Sequence, residues 1–270
     1  MEHEITRKNV KGIVTRSDLP STDYVVNPYT GCTHSCSYCY ARFMKRFSDN
    51  ENKWGEFVEV KENALDVFQE RDYRGKNVLF SSVTDPYQPV EADEKLTRKL
   101  LKKFKDTGAE LEVLTKSYLA MRDKDIFQEL NNITVGTSLS TLDSEISHYL
   151  EPGASPPEKR LEMIEELNKE GVETFLFVSP IIPEITDFKE ILEKAEEMGY
   201  ADYYMFEDLN LNNTTWPNLR EALKEIEQVN QKSYRQRYEK NKSYWEELEN
   251  SIVDFCRDRG LEHRIYFKNI

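Results

Sequence analysis

NPYTGCTHSCSYCYAR, residues 27 to 42, gathers three of the chain's four cysteines, Cys32, Cys36 and Cys39, into eight residues. The spacing is C-x3-C-x2-C, and the turn formers Pro28 and Gly31 bracket its start, so the three thiols belong to one loop. Thiolates from a single loop can reach three corners of a cubane, and soft sulfur ligands suit the iron of an iron–sulfur cluster. Three ligands rather than four leave one iron open to an exogenous group. A structural zinc ion would need a fourth ligand, with His34 nearest and His148, His263 or Cys256 farther off, and the second cysteine pair of most zinc modules is missing. The pattern points to a [4Fe–4S] cluster ahead of zinc or of buried, unliganded thiols.

Outward from that loop the chain alternates between apolar runs and charged, helix-periodic stretches. The runs Tyr24 to Asn27, Asn77 to Ser81, Leu111 to Thr115, Ile133 to Ser138, Thr174 to Ser179 and Asp202 to Phe206 are predicted strands, with Arg264 to Phe267 as a late addition. Helices are expected at Ala64 to Arg71, Glu94 to Thr107, Pro157 to Glu170 and Phe188 to Met198, where Leu, Lys and Glu recur at helical spacing. Six βα units are too many for a small open sheet and too few for an eight-unit barrel. The expected architecture is therefore an α/β fold, a partial (β/α)6 TIM-like barrel spanning residues 1–218. Residues 219–270 read as a C-terminal helical and strand appendage that closes it. In such folds chemistry sits at strand C-termini, where Thr84-Asp85, Thr115-Lys116-Ser117 and Ser138-Leu139-Ser140 fall.

Composition excludes little but narrows the partners. With 38% hydrophobic and 32% charged residues the chain reads as a soluble globule, and no apolar run approaches the roughly 20 residues of a membrane span. MEHEITRKNVKG lacks the apolar core of a secretory signal, so a cytoplasmic location is expected. A net charge of −13 disfavours gripping duplex DNA mainly by neutralising phosphates. Cysteines clustered in such a protein suggest metal or redox chemistry rather than a disulfide scaffold.

A cysteine loop with C-x3-C-x-aromatic-C, opening a βα barrel, resembles the radical S-adenosylmethionine (SAM) superfamily. From about Asp23 to Asp208 the chain is similar to the spore photoproduct lyase group and its short relatives, through SSVTDPYQPVE, LTKSYLAMRD, TSLST, LEPGASPPEKRLEMIEEL and FVSPIIPEITD. The resemblance implies that the amino and carboxylate groups of SAM chelate the open iron. Reduction of the cluster then cleaves SAM to methionine and a 5′-deoxyadenosyl radical that abstracts hydrogen. It also implies an external reductant, such as a flavodoxin or ferredoxin.

Residue by residue, the resemblance places Tyr38 near the adenine of SAM and makes Tyr38 and Tyr40 candidates for a hydrogen-atom relay. The alternative, stronger for Tyr40 than for Tyr38, is a pair of rings packing the loop onto the barrel. It assigns Thr84 and Asp85 to the amino group of SAM, and Lys116 and Ser138 to its carboxylate; Asp-Pro-Tyr is also a good turn starter, and a lone lysine is ordinarily solvated. Glu151 and Arg160 recur in the related sequences and read either as a salt bridge or as ligand contacts. Glu91 is a candidate for an outer position, and Asn27 for a contact with the cysteine loop or an ordinary turn.

One departure matters: where the lyase carries its hydrogen-donating cysteine, this chain has Ser82, and an O–H bond is too strong to replace a thiol. Repair of thymine photoproducts by that route is thereby in doubt. Cys256 reads as a buried small hydrophobe rather than a substitute donor. In KSYRQRYEKNKSYW, residues 232–245, bases interleave with Tyr234, Tyr238, Tyr244 and Trp245; the letters suit either nucleic-acid stacking or a surface helix with its aromatic side inward. The leading expectation is a radical SAM enzyme acting on a nucleic acid or a peptide. Its competitors are a nucleic-acid-binding accessory with a structural cluster and a zinc-stabilised interaction module.

Overall fold

The computed structural model describes residues 3–199, 201–239 and 241–268. Positions 240, 269 and 270, which the C-terminal expectations span, lie outside the described residues. Among the described residues eleven strands form: β1 (Glu4–Lys8), β2 (Val14–Arg16), β3 (Tyr24–Val26), β4 (Tyr29–Thr30), β5 (Phe57–Lys61), β6 (Asn77–Phe80), β7 (Glu110–Thr115), β8 (Ile133–Leu139), β9 (Glu173–Ile181), β10 (Tyr203–Asp208) and β11 (His263–Ile265). Eight make one sheet in the order β11-β10-β9-β8-β7-β6-β3-β2, parallel throughout except for β2 against β3.

Parallel strands need covered faces, and alternation decides what covers each. In β9, Leu176 and Val178 join Leu161, Ile164, Leu167, Ile191 and Leu192 of the flanking helices in the main core, whereas Phe175 packs on the other face with Tyr203 and Met205. Phe175 and Tyr203 stack at 5.2 Å and 12°. Each fully buried large side chain of this kind contributes about 1.5–3 kcal/mol. The helices Pro157–Lys169 and Phe188–Met198 form where their periodicity predicts; Pro157 opens the first, and the second runs from an Asp187 cap to a left-handed Gly199.

Three expectations need correction. The sheet is not closed: β11 pairs only with β10 and extends the sheet, so β2 and β11 are its two free ends. The expected helix Ala64 to Arg71 is a series of turns followed by irregular chain. Within it Phe68 packs against Phe104 at 5.0 Å and Arg71 lies over the rings of Tyr24 and Tyr73. Finally, a small sheet, β1-β5-β4, was not expected; it sits beside the cysteine loop, which leaves β4 directly.

Candidate active site

Gly31 starts the cysteine loop in the left-handed region (φ +89), and a Cβ there would lie 2.3 Å from the carbonyl oxygen of Phe57, so β5 fixes the loop's entry. Across the loop, Gln88 donates to Thr84 Oγ1 (2.8 Å) and to the Gly31 carbonyl (3.2 Å) and accepts from Thr33 N–H (3.0 Å). On the other side the segment after Leu150 clamps it. Ser37 N–H donates to the Leu150 carbonyl (2.8 Å) and Gly153 N–H to the His34 carbonyl (3.0 Å). A Cβ on Gly153 would stand 2.2 Å from the Thr33 carbonyl oxygen, so only glycine permits this approach.

The three cysteines are free, with Cys32 and Cys36 buried and Cys39 half-buried. Burial raises the Cys32 thiol to about 12, with Asp85 and Cys39 adding to the shift. Burial also drives Cys36 well up, with Glu151 and the other two cysteines contributing, and it raises Cys39. The thiols therefore lie within electrostatic reach of one another. Among the described residues no three His, Cys, Asp or Glu side chains meet at one point as a single metal ion would require. A cubane takes one thiolate per iron, so this donor set fits it. The buried Ser37 Oγ, inside the same loop, has no hydrogen-bond partner.

The C-terminal ends of β6, β7 and β8 bring the expected Thr84 and Asp85, Lys116, and Ser138. The Asp85 carboxylate accepts from Tyr87 N–H (2.8 Å), Thr115 Oγ1 (2.6 Å), Lys116 N–H (2.8 Å) and His34 Nδ1 (3.3 Å). Burial alone would raise its pKa, but His34 and these donors outweigh burial and hold it at about 2. Its acceptor sites are thus occupied, and any new donor must take the place of His34. Thr84 Oγ1 donates to the Gly31 carbonyl (2.6 Å). Lys116 Nζ donates to Ser138 Oγ and lies 3.9 Å from Glu151 and 5.8 Å from the Tyr38 ring. Burial lowers its pKa.

Glu151 links these parts. It accepts from the Tyr38 hydroxyl and from Arg160, whose guanidinium also donates to the carbonyls of Ser155 (2.6 Å) and Ser138 (2.9 Å). Both members of the pair are fully buried. Tyr40 turns the other way and donates to the Ser82 carbonyl. It is 48% exposed, yet burial leads the causes raising its pKa, with Glu207 next. A surface hollow of about 660 Å³ lies elsewhere, at the N-terminal ends of β6 and β7 among Arg74, Lys102 and Thr107.

Sequence reasoning missed Gln88, gave Thr115 no role beyond its place at a strand end, and weighed His34 only as a metal ligand. Glu91 is held by Tyr29, Thr97 and Arg122 on the helical side, while Asn27 Oδ1 accepts from Ser82 and Val83. Tyr234 and Trp245 are fully buried, bonding to the carbonyls of Pro183 and Tyr238, so the aromatic side of 232–245 faces inward. Cys256 is buried in the core.

The family model described as the radical SAM superfamily matches residues 26–198, a span that includes Cys32, Cys36, Cys39, Asp85, Lys116, Ser138 and Glu151. The chain belongs to the radical SAM superfamily. An uncharacterised protein of Methanocaldococcus jannaschii is 36% identical to it over 260 residues, 96% of this chain and 95% of that one. A radical SAM Nalpha-GlyT isomerase of Pseudomonas phage M6 is 25% identical over 179 residues, 65% of this chain and 37% of the phage protein. Among solved structures, spore photoproduct lyase complexed with dinucleoside spore photoproduct aligns with a TM-score of 0.73 at 16% identity, covering 98% of this chain and 82% of the lyase. At that identity the likeness is one of fold: an α/β fold with a parallel-rich sheet. None of the described helices is long and apolar enough to cross a membrane.

Proposed function

We propose that this radical SAM protein is an enzyme that binds a [4Fe–4S] cluster through Cys32, Cys36 and Cys39, cleaves SAM reductively and abstracts hydrogen from a nucleic-acid or peptide substrate. In this reading the open sheet is a partial (β/α)6 barrel, residues 219–270 are an appendage packed on it, and the protein works in the cytoplasm with a flavodoxin or ferredoxin as reductant. The observation that carries the proposal is the network through Glu151. It ties the thiol loop, by way of Tyr38, to Lys116 and Ser138, the groups proposed for the SAM carboxylate. When bound, cluster and SAM together supply a 5′-deoxyadenosyl radical.

The chain's own part is orientation and charge. Lys116 offers a buried ammonium whose neighbours are a hydroxyl and a carboxylate 3.9 Å away, so a ligand carboxylate would improve its pairing. Tyr38 is held against this cation by Glu151 and would pack on the adenine. Thr84 would meet the amino group, and Asp85 would do so by exchanging His34 for it. Tyr40, opposite, would relay a hydrogen atom between substrate and cofactor. Fold likeness to a lyase solved with a dinucleoside favours nucleic acid as the substrate class. Against the lyase's own reaction, position 82 offers a serine whose amide bonds to Asn27, not a thiol.

The test is anaerobic reconstitution. The proposal expects a brown protein that releases 5′-deoxyadenosine from SAM when dithionite is added. A preparation that takes up no iron, or that holds iron but leaves SAM intact, overturns it.

A further inference from the structure

Directly after Cys39 the chain makes a short 3-10 turn, Tyr40–Phe47, whose surface is unlike the rest of the molecule. Among the described residues the exposed large apolar side chains are Ile5, Leu19, Tyr40, Phe43 and Phe47, and three of these five lie on this turn. Tyr40 is accounted for, since its hydroxyl donates to the Ser82 carbonyl. Phe43 and Phe47 point outward, 41% and 58% exposed. Arg46 lies over both rings, 5.3 Å and 4.6 Å from their centroids. The turn contains three bases, Arg42, Lys45 and Arg46, and no acid, in a chain of net charge −13. Arg42 and Lys45 are tied back, to the Cys36 and Trp54 carbonyls and to the Asn50 carbonyl, which leaves Arg46 as the outward cation.

Exposed rings clamped around an arginine are the composition of a binding hot spot rather than of a solvated face. The place of this one is informative: the turn is continuous with Cys39, and Arg42 donates to the Cys36 carbonyl, so the patch is joined to two of the three thiol-bearing residues. We propose that Phe43, Arg46 and Phe47 form the landing surface for a small acidic electron-carrier protein of the flavodoxin type. This rests on the function proposed above, in which the neighbouring loop holds the cluster. The step is a one-electron transfer: the carrier's flavin hydroquinone becomes a semiquinone and the cluster passes from its 2+ to its 1+ state, with no bond made or broken. A polyanion such as duplex DNA fits less well, because a long contact would run onto the acidic surface of the chain. A compact acidic protein needs only the local positive field and two aromatic anchors.

The test uses reconstituted holoprotein and a flavodoxin as probe, with wild type, Arg46→Glu and the double variant Phe43→Ala/Phe47→Ala. Binding is measured by titration at two salt concentrations, and 5′-deoxyadenosine release is driven in turn by reduced flavodoxin and by dithionite. The expected result is about a tenfold or greater loss of flavodoxin affinity in each variant, with a weaker salt dependence for Arg46→Glu. Flavodoxin-driven release falls in proportion, and dithionite-driven release is unchanged. Unaltered affinity in both variants overturns the proposal. So does a result in which the variants instead lose self-association by light scattering, or binding of an oligonucleotide, while keeping the carrier. Failure of wild type to cleave SAM even with dithionite would sink the proposed function, while the binding measurement would still decide the landing surface.

Discussion

Two buried ionic networks flank the C-terminal half of this sheet, and their chemistry differs. On the helical side, Glu91 and Asp123 meet Arg98 and Arg122: Arg122 reaches Glu91 (2.7 Å) and Asp123 (2.8 Å), Arg98 reaches Asp123 (2.9 Å), and Tyr29 and Tyr87 complete the set. Hydrogen bonds donated to the carboxylates, led by Asp125 for Arg98 and by Asp123 for Arg122, raise both arginines and so favour their charged forms. At the thiol loop the balance is reversed. Burial raises Glu151 toward its neutral form and lowers Lys116 toward its own. The first network is complete as it stands, whereas the second holds its charges at a cost that a ligand of the right sign would offset. A buried ion pair therefore marks a site by being incompletely satisfied, not by being buried.

The largest expected effect separates the clustered thiols from the isolated one. Replacing Cys32, Cys36 or Cys39 by serine should remove iron and SAM cleavage together, by more than the roughly 10–100-fold typical of losing an outer-shell partner. Cys256→Ala should keep the iron and cost only stability; iron analysis and absorbance on the four variants decide this. Next come the carboxylates. Glu91→Gln and Glu151→Gln each break a buried pair, a loss of about 3–5 kcal/mol, so both should lower Tm by on the order of 10 °C. Only Glu151→Gln should also weaken SAM binding in calorimetry. Equal SAM affinity in the two variants would erase the distinction between the networks.

That distinction was half legible in the sequence. The thiols, Lys116 and Ser138 could be found because local signals mark them: a cysteine spacing, and polar residues ending the apolar runs that became β7 and β8. The strands themselves were readable because both faces are covered, which writes them as continuous apolar letters. β1, β2 and β5, written EITRK, VTR and FVEVK, are short and interrupted by charges and gave no such signal, although Val58 and Val60 of β5 enter the main core. The small sheet of β1, β5 and β4 was missed with them. Glu151 and Glu91 looked alike because what separates them is long-range: Tyr38 lies 113 positions from Glu151, and no local pattern encodes that contact. His34 was misread for a similar reason, since its partner Asp85 comes from another strand end.

A smaller effect tests the incomplete network from its cationic side. Lys116→Met removes the ammonium and keeps the bulk, and SAM affinity should fall roughly 10- to 100-fold, the worth of one charged hydrogen bond. Stability of the protein without SAM should hold or rise, because the variant relieves a buried charge. A loss of stability with unchanged SAM affinity would make Lys116 part of the scaffold.

The last test uses a third buried cation as a control. Lys61, on β5, donates to the Asn27 carbonyl (2.7 Å); burial, and secondarily Lys8, lower its pKa to about 8. An unfolded lysine keeps its proton to about 10.5, so between these values the unfolded state binds more protons and stability rises with pH. The full gain across that window is on the order of 3 kcal/mol. Lys61→Met should flatten the rise, read as the difference between wild-type and variant urea midpoints at pH 7.5 and 10. Saturating SAM should leave the Lys61 contribution untouched, since Lys61 already has its partner and sits outside the thiol network. If SAM abolished that difference, the two cations would be coupled, and the boundary between the ligand-ready network and the structural scaffold would have to be redrawn to include β5.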